Sequence, residues 1–438
     1  MITLIGLAII FTIVLLLLTE RTSPVVALVL IPVIGAFLAG FSMEDLTKFY
    51  QSGTKSVVQI AIMFIFAIIF FGIMNDVGLF NPMINQLIRL TGGNVVAVTV
   101  GTVIISTIAQ LDGAGASTFL LVVPPLLPLY KRLRINPYLL FLLLAASAGI
   151  INMLPWGGPL GRIASVLGKD VAELYQPLMV VQGIGIGITL MVAILLGLKE
   201  KKRITKEYGD SLYDVTFDTS VGTKENLSQK SPKAPPKGLF LINLALFIIT
   251  LGVLVSAILP SGYVFMIAVV LVLLINFHDP KEQLARINAH SGGAIMMASI
   301  ILAAGTFLGV IRESGMLTAI ATNLVKILPD SLIPYLHIVI GILGVPLELV
   351  FSTDAYYFGL FPVVEHITQQ AGVPSVSVGY AMMIGSIVGT FVSPFSPALW
   401  MGLGLAKLSM GQHIRYSFFW IWGISLLTLG GTILLGII

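Results

Sequence analysis

Residues 70–90 read FFGIMNDVGLFNPMINQLIRL, and residues 307–327 read FLGVIRESGMLTAIATNLVKI. The two stretches align without a gap, and the positions that keep the same residue are Phe70 and Phe307, Gly72 and Gly309, Gly78 and Gly315, and Leu87 and Leu324. The likeness continues downstream, where PWGGP at 155–159 corresponds to PFSP at 394–397. In a membrane chain, two related halves are typical of a secondary transporter that binds its substrate between them.

The composition of the chain is that of a membrane protein. Hydrophobic residues make up 57% of it and charged residues 10%, with a mean hydropathy of +1.02. A soluble domain carries roughly 25% charged residues. Apolar runs long enough to cross about 30 Å of hydrocarbon occur repeatedly. The first run, residues 2–18, has no basic flank and no small-residue cleavage site, so we interpret it as a retained span and not as a signal peptide.

Several classes of function are disfavoured by what the sequence lacks. With no cysteine in 438 residues, disulfides, thiolate metal sites and thiol redox chemistry are excluded. The five histidines show no metal-ligand spacing, and no HExxH motif or phosphate-binding loop is present. The sequence therefore argues against an enzyme and against ATP-driven transport. We assign the net charge of +4 to cytoplasmic loops, so it predicts no nucleic-acid partner.

A polar, Pro- and Lys-rich stretch divides the chain. Residues 199–237 begin with KEKKR and end with SPKAPPKG, without apolar periodicity, and are predicted to be a cytoplasmic linker between a first repeat at 1–198 and a second at 238–438. Predicted spans lie at 2–18, 23–41, 56–75, 136–168 and 176–198 in the first repeat, and at 238–258, 262–277, 291–311, 376–408 and 415–437 in the second.

Two segments in each half are not simple spans. Residues 94–130 and 333–366 are pairs of apolar arms joined by a polar tip, which predicts re-entrant hairpins. The fourth span of each half is long and contains Gly/Pro clusters, which predicts a broken helix. The fold class is therefore an all-α polytopic membrane protein of two inverted repeats, each with five spans and one hairpin, with the broken helices at the substrate site. The scaffold helices would be 1–75 and 238–311, and the transport elements 94–168 and 333–408.

The charge distribution supports the inverted arrangement. An odd number of spans in each half turns the second half over relative to the first. With the linker inside, most of the 24 lysine and arginine residues also lie inside, as expected for cytoplasmic loops. Both termini would then be outside. A version with twelve spans, in which the broken helices are counted differently, stays open.

The first hairpin tip reads LDGAGAST, from Leu111 to Thr118. Irregular backbone inside a membrane is tolerated only where it lines a cavity, and glycines there let a ligand approach the main chain. Asp112 is the unusual residue, because a carboxylate at mid-membrane costs about 2.5–3.5 kcal/mol on insertion scales. It therefore needs a partner, a proton or a cation. The alternative is that Asp112 only caps a helix near the interface.

The second tip reads ELVFSTDAYYFGLFP, from Glu348 to Pro362. Its polar residues occupy positions where the first half has small residues, as expected when a symmetric frame binds an asymmetric ligand. Asp354 is predicted to hold a cation or a proton, with a structural cap as the alternative. Glu348 is a candidate to carry a coupled proton, or else it lies in water at the mouth of the hairpin.

The broken helix of the first half reads NMLPWGGPLGR, from Asn152 to Arg162. Two prolines and two glycines within five residues interrupt a continuous helix. A guanidinium group in such a segment is costly unless it meets an anion, and its planar fork matches a carboxylate. Arg162 therefore indicates an anionic substrate, and the alternative is a salt bridge to an intramembrane acid such as Asp112. The equivalent segment, SPFSPALW at 393–400, offers hydroxyl groups without a charge.

Four motifs together resemble the citrate–divalent metal:proton symporters, the CitMHS family of bacteria. They are DGAGASTFLLVVPPLLPLY, INMLPWGGPLGRIASVLG, FSTDAYYFGLFPV and VSPFSPALWMGLGLAKLSMGQHIRYS, and they agree in order over essentially the whole chain. The resemblance implies import of citrate already bound to a divalent cation such as Mg²⁺ or Ca²⁺, together with protons. It further implies a multi-pass protein of the bacterial inner membrane, usually a homodimer, that moves its substrate by an elevator mechanism, although rocking of the two halves stays open.

The resemblance also implies roles for particular residues. Substrate binding falls to Asp112, Gly113, Ser117, Thr118, Gly157, Gly158, Arg162, Ser352, Thr353, Ser393 and Ser396. From the residues themselves, as argued above, metal contact is expected at Asp112 and Asp354, and proton coupling at Asp354 and Glu348. The family's first tip has a second acid between its glycines, where this chain has Ala114, and this difference bears on cation preference or coupling stoichiometry. A sodium-coupled carrier of dicarboxylates or other organic anions on the same architecture is the alternative.

Overall fold

The computed structural model describes residues 2–18, 21–79, 82, 94–208, 236–256, 258–326 and 328–438, and within them it contains 19 α-helices and no strand. The all-α fold is confirmed. The first half consists of α1 (Ile2–Leu18), α2 (Pro24–Leu38), α3 (Met43–Asp76), α4 (Val95–Ala109), α5 (Gly115–Arg132), α6 (Pro137–Ile151), α7 (Gly158–Leu167), α8 (Val171–Tyr175) and α9 (Leu178–Tyr208). The second half consists of α10 (Lys237–Ser256), α11 (Ser261–Asn276), α12 (Pro280–Glu313), α13 (Met316–Val325), α14 (Leu336–Ile342), α15 (Gly344–Glu348), α16 (Phe361–Gln369), α17 (Ser375–Ile387), α18 (Pro397–Ala406) and α19 (Met410–Leu434).

The two halves follow the same order of elements. Apart from the short helices α8 and α13, each has three leading helices, then a hairpin, then a helix broken into two parts, then a long final helix. The hairpins are α4 with α5 and α14–α15 with α16, and the broken helices are α6 with α7 and α17 with α18. The predicted hairpins and breaks are therefore present, while the inverted orientation of the halves stays a prediction.

Two helices begin earlier than their apolar runs. α3 starts at Met43 instead of residue 56, because Ser42 and Asp45 form a capping box that satisfies the first free amide groups. α12 starts at Pro280 instead of residue 291, because Asp279 accepts a hydrogen bond from the Lys281 amide and proline fits the first helical turn. Local capping, and not hydropathy, sets these ends.

The boundary predicted for the linker was wrong at its start. α9 continues through residues 199–208, so the basic KEKKR stretch is helical and extends the last helix of the first half. Within it, Glu200 and Glu207 form ion pairs with Arg203, which supports the helix beyond the apolar run. Residues 209–235 lie outside the described part of the chain, as do residues 80, 81 and 83–93.

Five of the described helices are long and apolar enough to cross a membrane singly. They are α3, α4 with the turn that follows it, α9, α12 and α19. The remaining apolar helices are shorter, and the broken ones belong to this group. A broken helix of two short parts therefore brings its irregular backbone into the interior of the bundle.

The scaffold is held together by a close crossing of α3 and α12. An added Cβ at Gly53 would lie 2.0 Å from the Gly305 carbonyl oxygen, and one at Gly309 would lie 2.0 Å from the Phe49 carbonyl oxygen. Small residues four apart let two membrane helices approach until their backbones touch. The repeated glycine of the opening alignment, Gly309, is therefore a packing residue.

Gly309→Ala is expected to destabilise the protein, because its new methyl group would meet backbone that cannot move aside. Overpacking of this kind costs about 1–3 kcal/mol, so a lower melting temperature in detergent should be measurable. Gly292→Ala on the same helix is the matched control, because an added Cβ there has no atom within 4 Å. Equal melting temperatures for the two variants would contradict the role of this crossing.

Candidate functional site: two hairpin tips and two helix breaks

The first tip, residues 110–118, is built by a turn that ends α4 and starts α5. Residues Gln110–Asp112 form a single 3₁₀ turn, and Gly113 follows in the left-handed region with φ of 74°. Asp112 Oδ1 accepts a hydrogen bond from the Ala114 amide at 2.9 Å, and Asp112 Oδ2 accepts one from the Ser117 hydroxyl. Asp112 is 9% exposed. Both bonds lie within the tip, and no side chain caps α5 at its N-cap residue Ala114, so Asp112 is a buried carboxylate that holds its own turn.

Trp156 from the first break holds this tip in place. Its indole Nε1 donates to the Leu111 carbonyl at 2.9 Å, and its ring stacks on Phe71 of α3 with centroids 4.5 Å apart. An added Cβ at Gly113 would lie 2.5 Å from Trp156 Cδ1. Gly113 is thus required both by its positive φ and by the indole ring that covers it.

The first break, residues 152–158, contains the two predicted glycines. An added Cβ at Gly157 would lie 2.2 Å from the Asn152 carbonyl oxygen, so this glycine lets the chain turn back on the end of α6. An added Cβ at Gly158 would lie 2.5 Å from an Arg162 guanidinium nitrogen, so that glycine leaves room for the charged group. Both glycines shape the space around a ligand site, and neither offers a side chain to it.

Arg162 of α7 forms a buried ion pair with Asp354 of the second tip, residues 349–354. Arg162 Nε and Nη2 both lie 2.7 Å from Asp354 Oδ1, and the two side chains are 8% and 14% exposed. The alternative of an intramembrane salt bridge is therefore realised, but the acid named for it, Asp112, was wrong. Asp354 forms no cap hydrogen bond at the π-helical turn Ala355–Leu360, so the structural-cap alternative for Asp354 is also wrong.

The hydroxyl groups of the second half mostly bind the local backbone. Ser352 accepts from the Ala355 amide at 3.3 Å, and Ser396 accepts from the Leu399 amide at 3.4 Å, as the N-cap of α18. Ser393 accepts from the Phe395 amide and donates to the Glu348 carbonyl oxygen. Thr353 is partly exposed at the tip. In this arrangement Thr353, Ser352 and Ser117 are the predicted hydroxyl residues that are partly exposed.

Glu348 ends the first arm of the second hairpin and is 1% exposed. Its location in water at the hairpin mouth, one of the two alternatives, was wrong. Tyr356 and Tyr357 pack behind it with ring centroids 5.1 Å apart, and their hydroxyls contact the Met382 carbonyl and the Ser386 hydroxyl. Both tyrosines are fully buried and act as packing residues.

The tips and breaks contact one another in a closed ring. The first tip meets the first break through Trp156, and the second tip meets α7 of the same broken helix through Arg162. The second break, residues 388–396, meets the second hairpin where Ser393 donates to Glu348. It meets the first tip where an added Cβ at Gly115 would lie 2.6 Å from the Phe391 ring. We name this ring the four-element site.

Sequence reasoning missed two residues that organise this site. Gln110 is fully buried, and its Oε1 accepts from the Thr118 hydroxyl at 2.6 Å, so Thr118 is engaged within the tip. Trp156 was quoted within a motif but assigned no role. Two features of the sequence could have identified them. One is a polar residue at the end of an apolar arm, and the other is a tryptophan beside a Gly–Gly pair.

Four elements of irregular backbone thus meet inside an apolar helical bundle and bring buried acids, an arginine and hydroxyls together. Such backbone is tolerated at membrane depth only where it is buried or lines a cavity, so the fold and the site define a polytopic membrane transporter. The chain belongs to the citrate transporter family, CitMHS, whose profile matches residues 5–385.

Three proteins of Bacillus subtilis (strain 168) are similar over most of their length. A citrate transporter is 31% identical, with all of both chains covered, and a Mg²⁺/citrate complex secondary transporter is 31% identical, with 92% of each chain covered. An uncharacterized transporter, YraO, is 32% identical over 96% of this chain and 95% of its own. These relatives confirm the family that the four motifs indicated.

The fold also resembles a solved transporter. The YdaH transporter of Alcanivorax borkumensis, described as having an unusual topology, aligns with a TM-score of 0.60, 14% identity and 90% coverage of each chain. At that identity the likeness concerns the fold alone.

Proposed function

We propose that this protein is a secondary active transporter of the bacterial inner membrane that imports citrate bound to a divalent cation, in symport with protons. The observation that carries the proposal is the charge of the four-element site. Arg162 is the one cation among the described residues of that site, and Asp354 already neutralises it. Asp112 then leaves the site with a net negative charge.

A site of this charge disfavours free citrate and favours its metal complex. Free citrate has up to three negative charges, and its desolvation beside buried carboxylates would be very costly. A bound divalent cation removes two of those charges. It also offers a positive centre to Asp112, since carboxylate oxygens are the ligands that Mg²⁺ and Ca²⁺ prefer.

The metal in this proposal belongs to the substrate. Among the described residues, no three His, Cys, Asp or Glu side chains converge on one point. The divalent ion would keep citrate oxygens as its main ligands and take one further oxygen from Asp112, or from Asp354 if substrate opens its pair with Arg162. Arg162 Nη1, which lies beside Gly158, would meet a citrate carboxylate, and Ser117, Thr353 and the serines of the second break would orient the remaining oxygens.

The experiment that tests the proposal is uptake of labelled citrate into proteoliposomes with an inward proton gradient. It is run without divalent ions, with Mg²⁺, and with Ca²⁺ in its place. We expect uptake only when a divalent ion and the proton gradient are both present. Uptake that ignores divalent ions and requires Na⁺ would overturn the proposal in favour of a sodium-coupled organic-anion carrier.

Homodimer assembly and an elevator motion remain part of the proposal. The homodimer rests on the family resemblance, and the elevator motion is supported by the tight α3–α12 crossing, which belongs to helices separate from the elements of the four-element site. Contacts such as the Trp156–Phe71 stack join the two parts and would have to change during transport.

A further inference from the structure

Two buried positions that are equivalent in the two halves carry different chemistry. α6 and α17 are equivalent helices, and they begin at Pro137 and Ser375. The difference in numbering between these two helix starts also relates Gln110 to Glu348. Gln110 directly follows the first arm of the first hairpin, and Glu348 ends the first arm of the second hairpin. Both are buried, at 0% and 1% exposure. One half has an amide at this place, and the other half has a group that can gain and lose a proton.

The amide in the first half is fully engaged. Gln110 Nε2 donates to Asn152 Oδ1 at 3.5 Å, and Gln110 Oε1 accepts from the Thr118 hydroxyl at 2.6 Å. An amide cannot change its charge, and partners on both ends fix its orientation. This position therefore joins the first tip to the first break permanently.

The equivalent position in the second half is incomplete. Thr390 lies in the second break, as Asn152 lies in the first. Glu348 Oε1 and Thr390 Oγ1 are both buried without a hydrogen-bond partner. Their elements touch, because an added Cβ at Gly389, next to Thr390, would lie 3.3 Å from Glu348 Cβ. A buried polar atom without a partner costs about 1–3 kcal/mol and calls for an explanation.

Few polar or charged groups lie near the Glu348 carboxyl group. The Ser386 hydroxyl of α17 is a hydrogen-bonding neighbour of that carboxyl group, and the Arg162 guanidinium group attracts it electrostatically. The hydroxyls of Tyr356 and Tyr357 are close enough to interact electrostatically with the Glu348 carboxyl group. Asp354 is the counter-ion of Arg162 and is committed to that pair. Glu348 is thus a buried acid of the site with no counter-ion of its own.

We propose that Glu348 and Thr390 form the coupling-ion site, in which the Glu348 carboxyl group carries the symported proton and Asp354 does not. This inference rests on the proposed function. The proton comes from the outside solution and forms an O–H bond on the Glu348 carboxyl, which donates to the Thr390 hydroxyl. The same O–H bond breaks when the site faces the cytoplasm, and the proton leaves to water there.

This site explains how binding of the proton would be coupled to binding of the substrate. Ser393 of the second break donates to the Glu348 carbonyl oxygen, so the residue that takes the proton is bonded through its backbone to an element of the four-element site. A neutral Glu348 also removes one negative charge from the surroundings of a substrate that is itself an anion. Proton binding therefore favours substrate binding, which is the requirement for symport.

The test compares Glu348→Gln with Glu365→Gln in proteoliposomes that contain Mg²⁺ and have the membrane potential clamped. Glu365 is the matched control, since it is a buried carboxyl of the same hairpin that is partnered by Ser375 and lies outside the four-element site. In the wild type, each pH unit of gradient should raise citrate accumulation about tenfold per coupled proton. Glu365→Gln should keep that dependence, whereas the residual uptake of Glu348→Gln should not respond to the gradient.

The outcomes separate this inference from the proposed function. A wild-type protein without any response to the pH gradient would overturn the proposed function itself. A responsive wild type with an equally responsive Glu348→Gln variant would overturn only the assignment of Glu348. If Glu348→Gln instead abolishes a dependence on Na⁺, the site holds sodium and the proton assignment fails.

A second variant keeps the inference testable if Glu348→Gln is not produced in folded form. Thr390→Val retains the acid and removes the acceptor of its O–H group. The neutral form of Glu348 is then less stable, so uptake should require a more acidic outside solution than in the wild type. An unchanged pH profile in Thr390→Val would contradict the pairing of these two residues.

Discussion

Arg162→Ala is expected to abolish citrate uptake and also to lower the amount of folded protein. The first effect follows from loss of the only cation in the described part of the site. The second follows from the ion pair, because breaking a buried pair from one side costs about 3–5 kcal/mol. If Arg162 met only the substrate, the variant would lose uptake with its expression intact. The buried contact with Asp354 changes the expected result, since the alanine variant would leave that carboxylate without its partner.

The two effects can be separated by three variants measured side by side. Arg162→Ala with Asp354→Ala removes both charges, so the level and melting temperature of the protein should recover while uptake does not. Arg162→Lys keeps the charge but loses the planar fork, and it should retain only a small part of the activity. Near-normal uptake by Arg162→Ala, measured per folded molecule, would refute the role of Arg162 in binding the substrate.

Asp112→Asn is expected to reduce uptake of the metal–citrate complex and to weaken its dependence on Mg²⁺. The change keeps the shape of the side chain, and the amide oxygen can still cap the Ala114 amide, so the first tip should remain folded. What is lost is the negative charge that faces the cation. An interaction of that kind contributes about 1.5–3 kcal/mol, which corresponds to roughly a 10- to 100-fold loss.

The control for this variant is Asp279→Asn, which makes the same change at a cap outside the site. Asp279 caps α12 at its exposed start and accepts from the Lys281 amide at 3.0 Å. The measurement is citrate uptake over a range of Mg²⁺ concentrations for both variants and the wild type. Asp112 would be only a structural cap if its asparagine variant had the same Mg²⁺ dependence as the Asp279 variant.

The repeat, the two hairpins and the two breaks could be predicted because each depends on a local pattern. Apolar runs of known length, a polar tip between two arms and a Gly/Pro cluster inside a span are all visible along the chain. The ends of α3 and α12 were missed because a capping box and an Asp–Pro start extend a helix past its apolar run. The helical continuation of α9 was missed because basic residues were interpreted as a linker.

The pairing of side chains could not be obtained in this way. The sequence showed that Arg162 needs an anion. Asp112, the tip acid that is nearer to it along the chain, was named as the partner, but Arg162 does not contact it. Asp354 lies in the other half of the chain, and only the way the second hairpin packs against α7 brings it within 2.7 Å. The same holds for Trp156, whose contact with the Leu111 carbonyl depends on how the first break folds over the first tip.

The sequence by itself determined that this is a membrane protein of two related halves, with irregular backbone and ionisable residues at repeat-related places. These properties follow from hydropathy, from glycine and proline geometry, and from the cost of charge in hydrocarbon, all of which act over a few neighbouring residues. Only the tertiary structure decided that Arg162 pairs with Asp354, that Asp112 bonds within its own tip, and that Glu348 is buried with one carboxyl oxygen unpartnered. Those outcomes depend on contacts between segments far apart in the chain, which local patterns do not specify.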